Sequence, residues 1–189
     1  MKVRELLKTD WPLVEQLFGA KGACGGCWCM HWRREKGGKA WEAVKGEPNR
    51  KDFRKLVTSG QAHGILAIDG SVPVGWCSFG KRTEFPRLDR TKAYRRDDIE
   101  KVWSINCFYI AAGYRNQGLA RSMAEAAVAA IKKRKGKLIE AYPTTLTKDG
   151  KRLPPAFSYT GPESIFQELG FKEIQRLAET RPLYRLELA

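Results

Sequence analysis

Apolar and polar positions along the chain repeat with two periods, which predict the strands and helices of one α/β domain. The segment Val102–Ile110, VWSINCFYI, is apolar or β-prone on both faces, and this pattern predicts a strand in the middle of a sheet. Residues 64–68 and 72–79 flank the dipeptide Asp69-Gly70, which is typical of a β-hairpin. Residues 81–101 are polar and strongly charged, and they predict an excursion from the sheet.

Apolar positions at helical spacing predict the helices. The longest is expected at residues 118–135, where the last turn is rich in lysine, which the helix dipole favours. Shorter helices are expected at residues 10–18, from Asn49 as a cap to residue 57, and just before Gly170. Further strands are expected at residues 3–7, 138–142, 172–177 and 182–188. The predicted order is β-α-(α)-β-β-β-α-β-α-β-β, one α/β (α+β) domain over a mixed sheet.

Composition and charge narrow the class of protein. The chain has 189 residues, of which 42% are hydrophobic and 30% charged, and this balance excludes a disordered tail or a fibre. No apolar run approaches the roughly 18–20 residues that span a bilayer, and the start, MKVRELLKTD, lacks an apolar leader segment. A soluble, cytoplasmic protein without membrane partners is expected. The net charge of +14 predicts attraction to polyanions, among them nucleic acid and a phosphate-rich cofactor.

Three of the five cysteines crowd with a histidine into Cys24-x-x-Cys27-x-Cys29-x-His31. Thiolates and neutral imidazole are zinc ligands, but structural zinc sites usually join two pairs that lie a dozen or more residues apart. A redox pair at Cys24 and Cys27 lacks the usual strand-to-helix context. We therefore expect no metal site here. The segment is interpreted as a hydrophobic plug over the sheet or as one wall of a substrate pocket.

The turn after the central strand has the local chemistry of an anion site. A helix is expected to begin beside Gly118, and its first amides lack partners within the helix. These amides and the positive end of the helix dipole suit a phosphate or a pyrophosphate. Gly118 and the small Ala120 allow close approach, while Arg115 and Arg121 add positive charge. An ordinary α/β connection would show the same single glycine, so the turn alone does not distinguish an anion site from such a connection.

The wider pattern resembles a known family. Arg115-x-x-Gly118-x-Ala120, after the strand that ends at Ile110, resembles the acetyl-CoA signature of the GNAT N-acetyltransferases, Arg/Gln-x-x-Gly-x-Gly/Ala. Residues 165–171, IFQELGF, are similar to the helix, Gly-Phe and strand that follow in that family. The resemblance extends from about residue 64 to the C-terminus, and it is weaker before that point.

The resemblance implies a fold and separate roles for two parts of the chain. The fold is a single domain over residues 1–189, with a mixed, mostly antiparallel central sheet of about six or seven strands flanked by about four helices. Its fourth and fifth strands are splayed apart. Residues 64–189 would form the cofactor-binding core, and residues 1–63 the variable part on the side of the acceptor.

The resemblance also implies acetyl-CoA as a co-substrate and N-acetyltransferase activity. Amides near Phe108 and Ile110 would bond the pantetheine arm, and one of them would polarise the thioester carbonyl. An acceptor amine, on a small molecule or a peptide, would then attack the thioester directly. The residues expected to bind the cofactor are Phe108, Tyr109, Ile110, Arg115, Asn116, Gln117, Gly118, Leu119 and Ala120.

The catalytic acid and base depart from the family pattern. Many members carry a Tyr four residues before the Gly of Gly-Phe, and this Tyr protonates the departing thiolate; this chain has Phe166 there. Tyr159, near the start of the same helix, is the expected substitute, and a packing role at the rim is the alternative. Glu140 is the expected base, although a carboxylate on a strand is more often simply solvated. Glu84 and Asp89 are further candidates for the base.

The rest of the site is left more open. Trp28, His31 and Trp32 are expected to line the acceptor side, with a hydrophobic plug as the alternative. Cys107 suggests a covalent acyl-cysteine route, whereas a small buried hydrophobe is the more common role for such a residue. A non-catalytic acyl-CoA-binding module and a basic nucleic-acid-associated protein are the competing functions. The acceptor, the acyl chain length and the oligomeric state are left open, and a homodimer is one of the alternatives.

Overall fold

Seven strands form one sheet in the computed structural model of the chain, which describes residues 1–145, 150–151, 154, 157–178 and 181–188. The order across the sheet is β1-β2-β3-β4-β5-β7-β6. The strands are β1 (Lys2–Glu5), β2 (His63–Asp69), β3 (Val72–Lys81), β4 (Val102–Ile110), β5 (Leu138–Ala141), β6 (Lys172–Ala178) and β7 (Arg181–Glu187). The helices are α1 (Trp11–Phe18), α2 (Lys39–Glu42), α3 (Glu47–Ser59), α4 (Leu119–Lys133) and α5 (Glu163–Glu168).

The pairing confirms the predicted mixed sheet. β4 and β5 are parallel neighbours, and every other pair of neighbouring strands is antiparallel. The parallel pair requires a crossover connection, and the long helix α4 supplies it. The predicted fold class is therefore confirmed, with β4 in the middle of the sheet.

A separate core covers each face of the sheet. On one face, Met123, Ala127 and Ile131 of α4 are fully buried against the strands. On the other face, α1, α3 and the loop after α1 hold a core rich in aromatic side chains. Burial of each large apolar side chain contributes about 1.5–3 kcal/mol, so the two cores hold β4 firmly between them.

Two local expectations are corrected. Asn49 does not cap a helix: α3 begins at Glu47, and Asn49 lies inside it, fully buried, with its amide donating to the carbonyl of Gly26. Pro48 fits the first turn of this helix because its missing N–H has no partner there. Residues 81–101 do leave the sheet, but their short 3-10 turns enclose the buried side chains of Phe85, Leu88, Ala93 and Tyr94.

Neither a membrane span nor a metal site is found in the part of the chain that the structure describes. No helix there combines the length and the apolar character that crossing a bilayer would require. No group of three or more His, Cys, Asp or Glu residues is arranged there to hold a metal ion.

Candidate active site

The site begins where β4 separates from β5. The two strands pair from Val102↔Leu138 to Ile105↔Ala141, and no pairing of described residues follows. On its other side, β4 has a register shift against β3 that leaves Asn106 as an extra residue. Such a bulge bends a strand and re-aims the side chains that follow. In the part of the chain that the structure describes, residues 106–110 therefore have an edge without a neighbouring strand, which is the splay that the resemblance implied.

Three groups contact this open edge of β4. The indole Nε1 of Trp32 donates to the carbonyl of Asn106 at 3.0 Å. The amide of Phe108 donates to the carbonyl of Tyr159 at 2.6 Å. The Nε of Arg115 donates to the carbonyl of Ile110 at 3.0 Å. The amide of Phe108, expected to bond the pantetheine arm, is thus already paired, so an incoming ligand must displace the carbonyl of Tyr159.

The turn after β4 has the predicted geometry. Asn116 and Gly118 adopt positive φ angles of 60° and 77°, and α4 begins at Leu119. A Cβ at Gly118 would meet no atom within 4 Å, so the backbone conformation, not crowding, favours glycine. Arg115, Asn116, Gln117 and Gly118 are exposed, whereas the side chain of Leu119 is in the core. Leu119 is therefore available to a ligand only through its backbone.

The rings of two other expected cofactor residues pack against the cores. The ring of Tyr109 lies 5.8 Å from that of Phe18 in the aromatic core, and the side chain of Phe108 packs 6.2 Å from the ring of Phe166. Phe166 is fully buried, with Phe171 on its other side. The position of the usual acid thus holds an apolar side chain that has no proton to donate.

Part of the expected acceptor wall does come together. The rings of His31, Trp32 and Tyr159 lie 4.8–6.1 Å apart. A cavity of about 180 Å³ opens beside them, and the buried hydroxyl of Thr160 in its lining has no hydrogen-bond partner among the described residues. The residues that line the cavity are Trp32, Thr91, Ala93, Tyr94, Tyr159, Thr160 and Arg181.

Trp28 is not part of this wall. It is 4% exposed and stacks 5.8 Å from Trp11 in the aromatic core, with Phe18 as another neighbour. Trp28 has a positive φ angle of 48° in the loop after α1, and its ring belongs to the aromatic core that α1 and α3 form. The expectation that Trp28 lines the acceptor pocket is therefore corrected.

The ionisable groups of the wall are kept neutral. Burial, reinforced by the charges of Arg87 and Lys45, lowers the pKa of His31 to about 4. Burial raises the pKa of Tyr159 well above its ordinary value. A phenol with a raised pKa is a weaker acid, so Tyr159 is better suited to donate a hydrogen bond than to give up its proton.

Glu140 has no access to the acceptor. Its carboxylate is fully buried and accepts hydrogen bonds from Arg185 at 2.7 Å and from the Tyr142 hydroxyl at 2.7 Å, while Arg82 lies 3.6 Å away. The Tyr142 hydroxyl also contacts Ser104 of β4. A carboxylate with these partners joins β5 to β7 and to residues 81–101. This placement argues against the expectation that Glu140 is the general base.

The two other carboxylates considered as bases are also engaged. Glu84 accepts from Arg33 at 2.9 Å, and Asp89 accepts from Arg82 at 2.5 Å. Sequence reasoning missed Asn106, whose side-chain amide is buried at the bulge with neither its oxygen nor its nitrogen hydrogen-bonded. No sequence signal pointed to it, because the bulge appears only in the register of the sheet.

Comparisons with known proteins agree with the fold. An N-acetyltransferase from Staphylococcus aureus Mu50 superposes with a TM-score of 0.57 at 12% identity, over 100% of this chain and 98% of the other. A ribosomal-protein-alanine N-acetyltransferase from Brucella melitensis gives 0.57 at 14% identity, over 100% of both chains. The PaiA N-acetyltransferase from Thermoplasma acidophilum, in complex with coenzyme A, gives 0.54 at 12% identity, also over 100% of both. At such identities the structures show the fold alone.

The search of curated proteins returns no match to this sequence. The family model that matches is that of the Acetyltransferase (GNAT) family, over residues 29–149. This range covers more than half of the chain, and it includes β4, the turn at Gly118 and α4. The chain therefore belongs to the GNAT acetyltransferase family.

Proposed function

We propose that this protein is an N-acetyltransferase that transfers the acetyl group of acetyl-CoA to a primary amine on a small molecule or a peptide. The observation that carries the proposal is the open edge of β4, which leads directly into the turn at Gly118 and the first turn of α4. Two proteins of similar fold support the co-substrate: PaiA was solved with coenzyme A, and a Salmonella typhimurium acetyltransferase with its cofactor acetyl-CoA.

The donor side has a simple electrostatic basis. The amides of residues 115–120 and the positive end of α4 would hold the pyrophosphate, and Arg115 adds a cation at the rim. The pantetheine arm would lie along residues 106–110, where it replaces the missing strand. The carbonyl oxygen of the thioester would replace the carbonyl oxygen of Tyr159 as the acceptor of the hydrogen bond from the Phe108 amide. The net charge of +14 favours this polyanionic co-substrate.

The acceptor side is proposed to be the cavity beside Trp32 and Tyr159. Residues 1–63 contribute Trp32 and the adjacent His31, in keeping with an acceptor-side role for this part of the chain, while residues 64–189 carry the donor side. The aromatic walls suit an apolar body, and Arg181 and the unpaired hydroxyl of Thr160 offer polar contacts. The hydroxyl of Tyr159 would orient the acceptor by a hydrogen bond.

We also propose a cytoplasmic location. All five cysteines are free thiols, and proteins of oxidising compartments usually pair theirs in disulfides.

The test of the donor site is thermal unfolding with acetyl-CoA, free CoA or ATP, each in excess. A ligand that binds only the folded state raises the unfolding midpoint. We expect both CoA compounds to raise it well beyond ATP, and an equal rise with ATP would contradict a CoA-specific site. Release of free CoA in the presence of a panel of amines then tests the enzyme. Binding without release would indicate a non-catalytic acyl-CoA-binding module, whose specific support is Phe166 at the position of the usual acid.

A further inference from the structure

The lining of the cavity on the acceptor side has a positive charge and, among the residues that the structure describes, no negative one. The cation is Arg181, the first residue of β7, and the other lining residues are aromatic or small. Arg181 donates from one nitrogen to the carbonyl of Phe157 at 2.7 Å, and no carboxylate of a described residue pairs with it. A guanidinium has five N–H donors, so this one bond leaves donors that a ligand can use.

Two further arginines lie close to the aromatic wall of the cavity. The backbone amide of Arg87 donates to the carbonyl of Trp32 at 3.2 Å, and the guanidinium of Arg87 lies 5.0 Å from the centre of the Trp41 ring. A Cβ placed on Gly37 would lie within 3.2 Å of a guanidinium nitrogen of both Arg87 and Arg90, so these two like charges are neighbours. They add to the positive charge of the lining.

The carboxylates of the adjacent segment are paired with other arginines. Among residues 81–101, Asp89 pairs with Arg82 at 2.5 Å and Glu84 pairs with Arg33 at 2.9 Å. Carboxylates that are paired in this way do little to neutralise the cavity. The charge that the described side chains bring to the cavity is therefore positive.

The ionisable groups of the wall respond to this charge. Burial raises the pKa of Tyr159 and of Tyr94, and the charge of Arg181 opposes this rise in both. Burial lowers the pKa of His31 to about 4, and the charge of Arg87 lowers it further. A positive charge acts in the same way on a bound amine, because it favours the neutral form, which is the form that attacks a thioester.

A hydrogen-bonding group without a partner lies in the same lining. Thr160 is 1% exposed, and its hydroxyl has no hydrogen-bond partner among the described residues. Buried polar groups are normally paired, so an unpaired one calls for an explanation such as a ligand. Thr160 directly follows Tyr159, whose carbonyl marks the place proposed for the thioester oxygen. A ligand bound to Thr160 would therefore lie close to the acetyl group.

We propose that the acceptor is an amine that carries a carboxylate, that is, an amino acid, and that Arg181 and the hydroxyl of Thr160 bind this carboxylate. The inference rests on the proposed function and names the class of acceptor for the same site. A guanidinium and a hydroxyl can each donate to one oxygen of a carboxylate, while the aromatic rings contact the carbon chain. A diamine would instead bring a second ammonium group against Arg181, and the site would reject it.

The size of the cavity and the chemistry of the reaction fit this class. A volume of about 180 Å³ is smaller than the roughly 300–1,000 Å³ of sites for drug-sized ligands, so it suits a small amino acid. The neutral amine nitrogen forms a bond to the acetyl carbon, and the bond from that carbon to the CoA sulfur breaks. CoA leaves as a thiolate, which takes the proton lost by the nitrogen through solvent. The products are the N-acetylated acid and CoA.

The experiment compares matched amines as acceptors for the purified full chain at saturating acetyl-CoA, with release of CoA as the signal. In the first set, 4-aminobutyrate, butylamine and 1,4-diaminobutane share a four-carbon chain and differ in the charge at its far end. In the second set, L-leucine carries its carboxylate beside the amine and 3-methylbutylamine lacks it. Rates are referred to the neutral form of each amine. We expect one of the two acids to exceed its uncharged counterpart in kcat/KM by about tenfold or more, and the diamine to be the poorest acceptor of its set.

The variants test the two residues separately. Arg181→Gln should lower kcat/KM for the preferred acid by about tenfold or more, mainly through KM, and leave the uncharged counterpart within about twofold. Arg54→Gln is the matched control, because it removes the same charge from an exposed position of α3, and it should change neither value. Thr160→Val should weaken the preference for the acid without lowering the unfolding midpoint, since its hydroxyl has no described partner to lose. It keeps the inference testable if Arg181→Gln does not fold.

The outcomes separate this inference from the proposed function. Equal kcat/KM values within each set, with acetyl-CoA raising the unfolding midpoint, would overturn the inference and leave the proposed function standing. A preference for the acid that survives both Arg181→Gln and Thr160→Val would overturn it as well. So would the absence of CoA release with both acids, whatever the other amines do. A failure of acetyl-CoA to bind the unaltered protein would overturn both.

Discussion

The two halves of β4 contain similar kinds of residue, but the surroundings of their polar groups differ. In the first half, Val102–Ile105, the strand pairs on both edges, and Ser104 joins the hydrogen-bonded group of Tyr142, Glu140 and the arginines. In the second half, beyond the bulge at Asn106, one edge has no neighbouring strand. There the buried side-chain amide of Asn106 has no hydrogen-bond partner among the described residues, and the amide of Phe108 donates to the carbonyl of Tyr159 in a distant loop.

One extra residue thus divides the strand into a first half that stabilises the fold and a second half that is open to ligands. Before the bulge, polar groups satisfy one another in a buried network, which holds β5 and β7 in place. After the bulge, polar groups face a gap or a weak partner, and such groups are available to a substrate. Variants in the first half should therefore change the free energy of unfolding, and variants around the second half should change binding and rate.

The largest expected effect comes from the first half. Glu140→Gln would leave Arg82 and Arg185 with only the partly exposed Asp89 and Asp98 as carboxylate partners among the described residues, and we expect it to lower the free energy of unfolding by about 3 kcal/mol. Urea unfolding measures this loss. Glu125→Gln is the matched control, because Glu125 pairs with Arg121 on an exposed surface, where such pairs contribute less than about 1 kcal/mol. A stable Glu140→Gln protein with a selective loss of turnover would instead restore Glu140 as the base.

The next largest expected effect is on acetyl-CoA affinity, and it comes from the turn that follows the second half of β4. Gly118→Ala places a side chain at a φ angle of 77°, which costs about 1–2 kcal/mol. We expect acetyl-CoA affinity to fall about tenfold, because this strain is relieved by moving the amides that would hold the pyrophosphate. Calorimetric titration measures it. Gly113→Ala, in the same turn but without a positive φ angle or a crowding atom, should bind acetyl-CoA as the unaltered protein does.

A smaller effect is expected at Tyr159. Tyr159→Phe removes one hydrogen bond to the acceptor, of about 1 kcal/mol, so kcat/KM for the amine should fall about fivefold. Steady-state kinetics at saturating acetyl-CoA measure the change, with Tyr114→Phe outside the cavity as the control. A loss of a hundredfold or more, confined to kcat, would mean that the Tyr159 hydroxyl does act as the acid.

The last effect is a pH dependence of stability, which is spread over the window between the two pKa values of His31. The folded protein holds the pKa of His31 near 4, against an ordinary value of 6.5, so the unfolded state takes up a proton that the folded state does not. The stability due to neutral His31 is complete above about pH 6.5 and is lost as the pH falls toward 4, by at most about 1.4 kcal/mol per pH unit.

His31→Phe should flatten the fall in the free energy of unfolding across that window, as urea titrations at several pH values would show. His63, whose pKa burial also lowers, provides the comparison, and His63→Phe should flatten it less. An unchanged slope in His31→Phe would mean that the folded protein accepts the proton at His31.

Much of the donor side of the proposed site could be predicted from the sequence, but little of the acceptor side could. The turn at Gly118, the strand before it and the helix after it are contiguous in sequence, so hydrophobic period and a glycine suffice to place them. Asn49 and Trp28 were misplaced because each lies beside a local signal, a helix start or an aromatic run, and then packs into a core built from distant segments. The enclosure of Glu140 could not be predicted because its arginine partners lie far away along the chain.

By itself, the sequence determined the order of elements, the family and the place of the cofactor turn, since these follow from interactions between near neighbours along the chain. Only the tertiary structure decided which polar side chains are enclosed and which are available. The bulge at Asn106 and the hydrogen bond from the Phe108 amide to the carbonyl of Tyr159 both depend on strand register and on a loop that folds back over the sheet. A change of one residue in register would send these side chains to the opposite face, and the residues near them in sequence do not set that register.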